Sequence, residues 1–347
     1  MKNRVQKVDL DGKLVGDAEP CYVISEIGGM YEDSEGMLSL IKASKDAGVN
    51  AVKIQTYRAS TMALEGAEFE FEDGSRMSQY DFFKKYEISE DMHKKMYEYA
   101  KEIGITIFST PSHYEDVDFL ESLGTSVYKL GSDDLTNYPF LEYVASKGKP
   151  IILSTGMATL SEIESAVNTV TGTGNDKLIL LHCTVSYPVE PKYANLKIIE
   201  TLKKAFGYPV GYSDHVFGVL PSVLAAQMGA CIVEKHVTLD RSKKLPDYQV
   251  SLEPAELKEL VSHIRMIPIL EGSSVKKVYL QEEKWRKNAR KSLVAARDIN
   301  AGTKLTKDDV KIMRPGTGIH PKYREIYLSR TVNISIKEND IIPIDAF

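Results

Sequence analysis

Two histidines, His215 in GYSDH and His236 in EKH, each stand just beyond a short apolar run. The runs YPVGYS (208–213) and CIVEKH (231–236) read as neighbouring strands, so the two imidazoles can reach one ion. Imidazole nitrogen suits Zn, Mn or Fe, and two protein nitrogens leave coordination positions open for water or a substrate oxygen. Either histidine alone reads more simply as a locally hydrogen-bonded residue; the pair, with Asp214 and Glu234 beside it, favours an ion. Lys53 in NAVKIQT and Lys129 in SVYKLGS supply fixed positive charge for a phosphate and a carboxylate. Ser132, Ser154 and Ser213, with nearby backbone amides, can complete an anion cradle. A rival reading makes one of the lysines a Schiff-base nucleophile, as in pyruvate aldolases, and spacing alone does not separate the two.

These residues share a position as well as a chemistry. Apolar β-rich runs recur at YVISEI (22–27), NAVKIQT (50–56), ITIFST (105–110), SVYKLGS (126–132), PIILST (150–155), LILLHC (178–183), YPVGYS and CIVEKH. Amphipathic stretches such as SEGMLSLIKASKDAG and EDMHKKMYEYAKEIG follow most of them, several ending in Gly where a helix C-cap is expected. Eight such βα repeats predict a closed (β/α)8 TIM barrel over residues 1–272. Glu26, Lys53, Thr110, Lys129, Ser154, His182, Ser213 and Glu234 all fall at or near the C-terminal ends of the predicted strands. That is the catalytic face of a barrel. A charge in an apolar strand costs several kcal/mol unless it is paired or used. One such residue is easily a structural ion pair; eight polar strand ends in register point to a site. His182, flanked by Leu181 and Cys183, reads equally well as a supporting residue or a direct one. His93, His113, His263 and His320 lie in helical or loop contexts and read as surface or structural. The long segment 57–88 is expected to be a lid or substrate loop.

After about residue 272 the pattern changes. The charged, helix-friendly stretch 273–291 reads as a linker, and residues 292–347 as a small β-rich module built on SLVAARDI, VKIMRP, RTVNISI and DIIPI. A formal net charge of -5 argues against nucleic acid as a partner. No apolar run reaches the roughly 18 residues needed to span a membrane, and the first residues lack a signal-peptide core. Cys21, Cys183 and Cys231 read as free thiols of a cytoplasmic protein.

The runs ISEIGG, KIQTY, FSTP, YKLGS, STGMAT, LLHCTVSYP, VGYSDH, EKHVTLD, PDYQVSL and RPGTGI resemble those of N-acetylneuraminate (sialic acid) synthases and their legionaminate and pseudaminate relatives. The resemblance spans nearly the whole chain in order, and the C-terminal module looks like the antifreeze-like (SAF, β-clip) domain of that family. It implies a transferase that condenses phosphoenolpyruvate with an N-acetylated hexosamine aldehyde and water. N-acetylmannosamine or a 2,4-diacetamido sugar would be the acceptor, and a nonulosonic acid and phosphate the products. The ion would be Mn2+, with Mg2+ or Co2+ as substitutes, on His215 and His236. Lys53, Thr110, Lys129, Ser132, Ser154 and Ser213 would hold phosphoenolpyruvate; Glu26, Gln55, Tyr187, Asp247 and Arg314 would orient the sugar. Glu26 or Asp134 would manage the proton of the attacking water. The resemblance further implies a domain-swapped homodimer in which Arg314 enters the partner's site. Met30 and Tyr31 stand where the family has Asn-His, Asp134 where it commonly has Glu, and Val185 where it often has Asn; these departures bear on which sugar is used. The remaining alternatives are the Schiff-base aldolase and a non-catalytic sugar-binding or coat-assembly protein on the same scaffold.

Overall fold

The computed structural model describes residues 7–28, 31, 33–70 and 74–347, so the departure at Met30 lies outside the described residues. An N-terminal hairpin of β1 (Lys7–Leu10) and β2 (Lys13–Gly16) precedes the first barrel strand, β3 (Tyr22–Glu26), and helix α1 (Ser34–Ala47). Strand β4 (Ala51–Thr56) leads into the long segment. That segment holds α2 (Ala59–Met62), a hairpin of β5 (Glu68–Glu70) and β6 (Arg76–Ser78), and α3 (Gln79–Tyr86). Helix α4 (Glu90–Ile103) then closes the second βα unit. Five further units follow: β7 (Thr106–Pro111) with α5 (Tyr114–Ser122), β8 (Tyr128–Leu130) with α6 (Tyr138–Ser146), β9 (Ile151–Ser154) with α7 (Leu160–Gly172), β10 (Leu178–Cys183) with α8 (Ile198–Phe206), and β11 (Val210–Asp214) with α9 (Leu220–Gln227). The last unit is β12 (Ile232–His236) with α10 (Pro254–Glu271).

The eight strands β3, β4 and β7 to β12 pair in parallel around a closed barrel, completed where β12 hydrogen-bonds β3 from Ile232↔Tyr22 to His236↔Glu26. All eight apolar runs are strands of that barrel. Local chemistry sets the helix limits. Asp33 caps α1 by accepting from the Gly36 amide, and Gly48 ends it at φ +86, a left-handed conformation that a side chain would strain. Thr159 and Glu162 form a reciprocal capping box at the start of α7. Helices α1, α4 and α10 press Met37, Leu40, Ile41, Met96, Leu257 and Leu260 onto the outside of β3, β4 and β12. Each such side chain contributes about 1.5–3 kcal/mol on burial.

Inside the barrel the side chains are layered. Tyr22, Ile24, Phe108, Ile152, Ile179, Leu181 and Ile232 fill the lower interior, and Val8, Leu10 and Val15 of the N-terminal hairpin pack into the same cluster. Alternation along the strands then carries the polar residues to the upper end. Ile24 is followed on the inner face by Glu26, Phe108 by Thr110, Ile152 by Ser154 and Ile232 by Glu234.

The chain divides into two compact units, Met1–Glu271 and Gly272–Phe347. The second begins with the exposed helix α11 (Leu280–Ala289) in the charged stretch. Strands β13 (Ser292–Ala295) and β14 (Val310–Met313) pair antiparallel. The runs RTVNISI and DIIPI contribute single bridges, such as Ile299↔Ile336 and Val294↔Ile341. A one-turn helix, α12 (Arg324–Tyr327), completes the unit. Leu293, Ile299, Leu305, Ile319, Val332 and Ile342 form its core.

Candidate active site

A cavity of about 250 Å3 opens at the C-terminal ends of the barrel strands. Lys53, Gln55, Thr110, Lys129, Ser132, Ser154, Tyr187, Ser213, His215, His236 and Asp247 all line it. Residues from seven strands or the loops that follow them thus meet in one place. The cavity reaches Met62 of the long segment 57–88. Further along, Tyr57, Phe69, Phe82, Phe83 and Tyr86 of that segment pack on one another with ring centroids 5.1–5.9 Å apart.

The floor is a buried ionic cluster. Lys53 Nζ lies 2.6 Å from Glu26 Oε2 and 3.4 Å from Glu234 Oε1; Lys129 Nζ lies 3.9 Å from that same Glu234 oxygen. All four side chains are at most 8% exposed. Burial pulls the Lys53 ammonium down to about 8, against the upward pull of Glu234. Burial would raise the Glu234 carboxyl, but Lys129 and Lys53 outweigh it and hold the acid below its usual range. Oε1 of Glu26 also accepts from the Gly28 amide at 2.8 Å and from Gln55 at 3.2 Å, whereas Oε2, which faces Lys53, has no hydrogen bond among the described residues. Lys129 donates to Ser154 at 2.6 Å and to the Leu130 carbonyl at 2.9 Å. Ser213 donates to Glu234 at 3.1 Å.

Above this floor stand donors with capacity to spare. The Thr110 hydroxyl is buried with no hydrogen-bond partner among the described residues. Ser132 Oγ accepts from the Gly156 amide at 2.9 Å, which leaves its proton free to donate. Buried polar groups are normally paired, so an unpaired hydroxyl aimed into a cavity marks a place where a ligand supplies the acceptor.

The two histidines meet as their strands require, with ring centroids 5.3 Å apart. His215 Nδ1 lies 2.9 Å from the Thr184 carbonyl, which can only accept; that fixes the proton on Nδ1 and leaves Nε2 with its lone pair. Burial pushes His215 down to about 4 and His236 well below its ordinary value, so both rings are neutral. His236 Nδ1 is buried without a hydrogen bond, 3.5 Å from Asp247 Oδ2. Tyr187 lies over His215 with centroids 4.2 Å apart and turns an edge to His236. Neutral nitrogens, an orphaned buried ring atom and a neighbouring carboxylate fit a borderline divalent cation. Among the described residues no three His, Cys, Asp or Glu side chains converge on one point. Such an ion would therefore keep positions open.

Some placements differ from expectation. Asp133, not Asp134, lines the cavity. Asp134 is turned back on its own loop, accepting from Asn137 at 3.0 Å, and burial raises it to about 6. Tyr31 is a core residue, packed against Gly36 and the α1 cluster. His182 is buried away from the cavity and donates to the Ala194 carbonyl at 2.7 Å, a supporting role. Behind the site, Asp214 pairs with the fully buried Lys235 at 3.1 Å and accepts from Ser222 at 2.6 Å, so it holds loops and not ligand. Arg314 belongs to the second unit, where it lines a separate cavity of about 600 Å3 with Met313, Ile334 and Asp340. Cys183 and Met157 also line the barrel cavity, and sequence reasoning passed over them as site residues; Val185, which stands where the family often has Asn, lines it too. Met157 carries a φ of +60, a strained rim position that no sequence signal announces.

The sequence pattern described as the NeuB family matches residues 40–276, and that of the SAF domain matches residues 290–347. An N,N'-diacetyllegionaminic acid synthase of Legionella pneumophila is 40% identical over 315 residues, 88% of each chain. The enzyme of the same name from Campylobacter jejuni is 39% identical, covering 92% of this chain and 98% of its own. Among solved structures, the N-acetylneuraminic acid synthetase of Leptospira borgpetersenii in complex with citrate superposes with a TM-score of 0.73 at 32% identity. That match covers 81% of this chain and 95% of the other.

Proposed function

This chain belongs to the NeuB family and carries a SAF domain, and from that premise we propose that it condenses phosphoenolpyruvate with an N-acetylated hexosamine aldehyde and water, releasing phosphate and a nonulosonic acid. The acceptor is N-acetylmannosamine or a 2,4-diacetamido relative. The carrying observation is that two buried lysines and two neutral histidines face the same small cavity.

In this reading Lys53 and Lys129 hold the phosphate and carboxylate, and the hydroxyls of Thr110 and Ser132 donate to the same anion. Carbon C3 of phosphoenolpyruvate attacks the sugar aldehyde while water adds to C2. Collapse of the resulting tetrahedral centre expels phosphate and leaves a 2-keto-3-deoxy acid. The lysines act where negative charge spreads over carboxylate and phosphate, inside a site that excludes bulk water. His215 and His236 would hold a divalent ion, Mn2+ first, which supplies Lewis-acid polarisation of the aldehyde oxygen. Gln55, Tyr187 and Asp247 orient the sugar. The water proton passes to Glu26 or Asp134; Oε1 of Glu26 is engaged by Gly28 and Gln55, while its Oε2, beside Lys53, has no hydrogen bond among the described residues. Asp134, raised to about 6 by burial, stands one residue from the cavity wall with its carboxylate turned toward Asn137. The working form is a domain-swapped homodimer in the cytoplasm, with Arg314 of each SAF domain reaching its partner's sugar. No helix among the described residues is long and apolar enough to cross a membrane.

The test is a panel of hexosamine aldehydes incubated with phosphoenolpyruvate and read by phosphate release. Turnover that needs an acetamido sugar, stops on chelation and returns with Mn2+ is the expected result. Turnover in excess chelator by ion-stripped protein removes the metal role. Covalent trapping of pyruvate by borohydride makes the protein a Schiff-base aldolase instead.

A further inference from the structure

Behind the Gln55–Thr110 wall lies a buried polar chain that the proposed chemistry does not use. Gln55 and Thr110 are register partners on β4 and β7, and both side chains enter the cavity. Their neighbours Thr56 and Ser109 point the other way, toward the helix layer, where the two hydroxyls stand 2.6 Å apart. Thr56 Oγ1 lies 2.8 Å from His93 Nε2, and Ser109 donates to the Ile54 carbonyl at 3.0 Å. His93 comes from α4, with Nδ1 2.9 Å from the Ser89 carbonyl. Thr56 is 4% exposed, Ser109 is fully buried and His93 is 1% exposed.

The chain of bonds has one direction. The Ser89 carbonyl can only accept, so Nδ1 of His93 carries the proton and Nε2 is left as an acceptor. Thr56 must therefore donate to His93, and its oxygen is free to receive Ser109, whose single proton is shared between Thr56 Oγ1 at 2.6 Å and the Ile54 carbonyl at 3.0 Å. Burial pushes the His93 pKa down, which keeps the ring neutral and able to accept. The ring meets Phe119 edge-on at 5.4 Å, so it is packed as well as bonded. Without the imidazole, the Thr56 hydroxyl would lose its acceptor in a layer closed to water.

We propose that His93 is a positioning residue of the active site: through Thr56 and Ser109 it pins the ends of β4 and β7, and so sets where Gln55 and Thr110 stand. This rests on the reading above, in which Thr110 holds phosphoenolpyruvate and Gln55 the sugar. An error near 1 Å in such placement costs up to about a hundredfold in rate.

Two substitutions test it. His93→Phe fills the space and removes the acceptor; His93→Gln offers an amide oxygen where Nε2 stood. With His93→Phe, KM for both substrates should rise about tenfold or more with a smaller change in kcat, and His93→Gln should recover most of that loss. Crystal structures of the variants give a readout independent of turnover. In His93→Phe the Gln55 and Thr110 side chains should leave their places, and in His93→Gln they should return. Thr56→Val removes the donor while keeping the shape, and should reproduce the same shifts if His93→Phe does not fold. A lowered Tm with unchanged KM and undisplaced Gln55 and Thr110 overturns the proposal. If wild-type protein releases no phosphate with any sugar, the functional reading fails, and the two side-chain positions still decide the role of His93.

Discussion

Replacing each active-site lysine by methionine should separate two roles that the ionic floor combines. Methionine keeps the length of the side chain and removes the charge. A hydrogen bond to a charged group is worth about 1.5–3 kcal/mol, so Lys53→Met and Lys129→Met should each raise the Kd for phosphoenolpyruvate about 10- to 150-fold. Their effects on stability should differ. Among the described residues Lys53 is the only cation within ion-pair distance of Glu26, at 2.6 Å, and it also faces Glu234 at 3.4 Å. Its loss strips the cation from a buried acid, a change that costs about 3–5 kcal/mol. Losing Lys129 leaves Glu234 with Lys53 and with the Ser213 hydroxyl at 3.1 Å, and a loss of about 1.5–3 kcal/mol is expected, that of one hydrogen bond to a charged group. For a unit of this size, about 2–4 °C of Tm accompanies each kcal/mol. Lys53→Met should therefore lose about 6–20 °C and Lys129→Met about 3–12 °C. Calorimetric titration with phosphoenolpyruvate and thermal melts of the same ion-stripped samples measure both quantities. Unchanged phosphoenolpyruvate affinity in both variants, or Lys129→Met melting below Lys53→Met, would refute this account of the floor.

The lowered pKa of Lys53 predicts two opposite trends above about pH 8. As the free enzyme loses that proton, kcat/KM for phosphoenolpyruvate should fall. The unfolded lysine holds its proton up to the ordinary 10.5, so between these values the unfolded state binds more protons and the group's contribution to stability rises with pH. Melts of wild type against Lys53→Met across that window isolate the second trend, and a flat difference between them counts against it. If Arg314 serves the partner's site, Arg314→Ala and His236→Ala chains, each inactive alone, should regain up to about a quarter of wild-type activity after subunit exchange. Heterodimers confirmed by mass yet inactive would rule out the swap.

The barrel was legible because its signals are local and repeated eight times. Near-continuous Val, Ile and Leu runs followed by amphipathic stretches leave few alternatives, and period-two alternation carries Glu26, Lys53, Lys129, Ser154 and Glu234 inward together. What escaped depended on loops. Asp133 and Asp134 are chemically identical neighbours, and only the turn toward Asn137 decides which faces the cavity. Glu234 was visible as a polar strand end, but its place between two lysines depends on residues more than a hundred positions away. The N-terminal hairpin carries a legible signal, Asp11-Gly12 with both φ values positive, but its strands are too short to stand out from a loop. In the C-terminal unit, runs that look like strands form single bridges, because too few consecutive pairs align to make a ladder.

That hairpin has a consequence for how the molecule comes together. Val8, Leu10 and Val15 precede every barrel strand in the chain, yet they pack against Phe108, Ile152, Ile179 and Ile232, drawn from across the whole ring. The surface they bury does not exist until β12 has joined β3. Made before β3, the hairpin thus finds its full seat only after β12, more than two hundred residues later, has been made. Once seated, the stopper ties its own release to the opening of the ring. Amide protection at Leu10 and Val15 in hydrogen exchange thereby reports on barrel integrity at a point remote from the mouth where ligands enter.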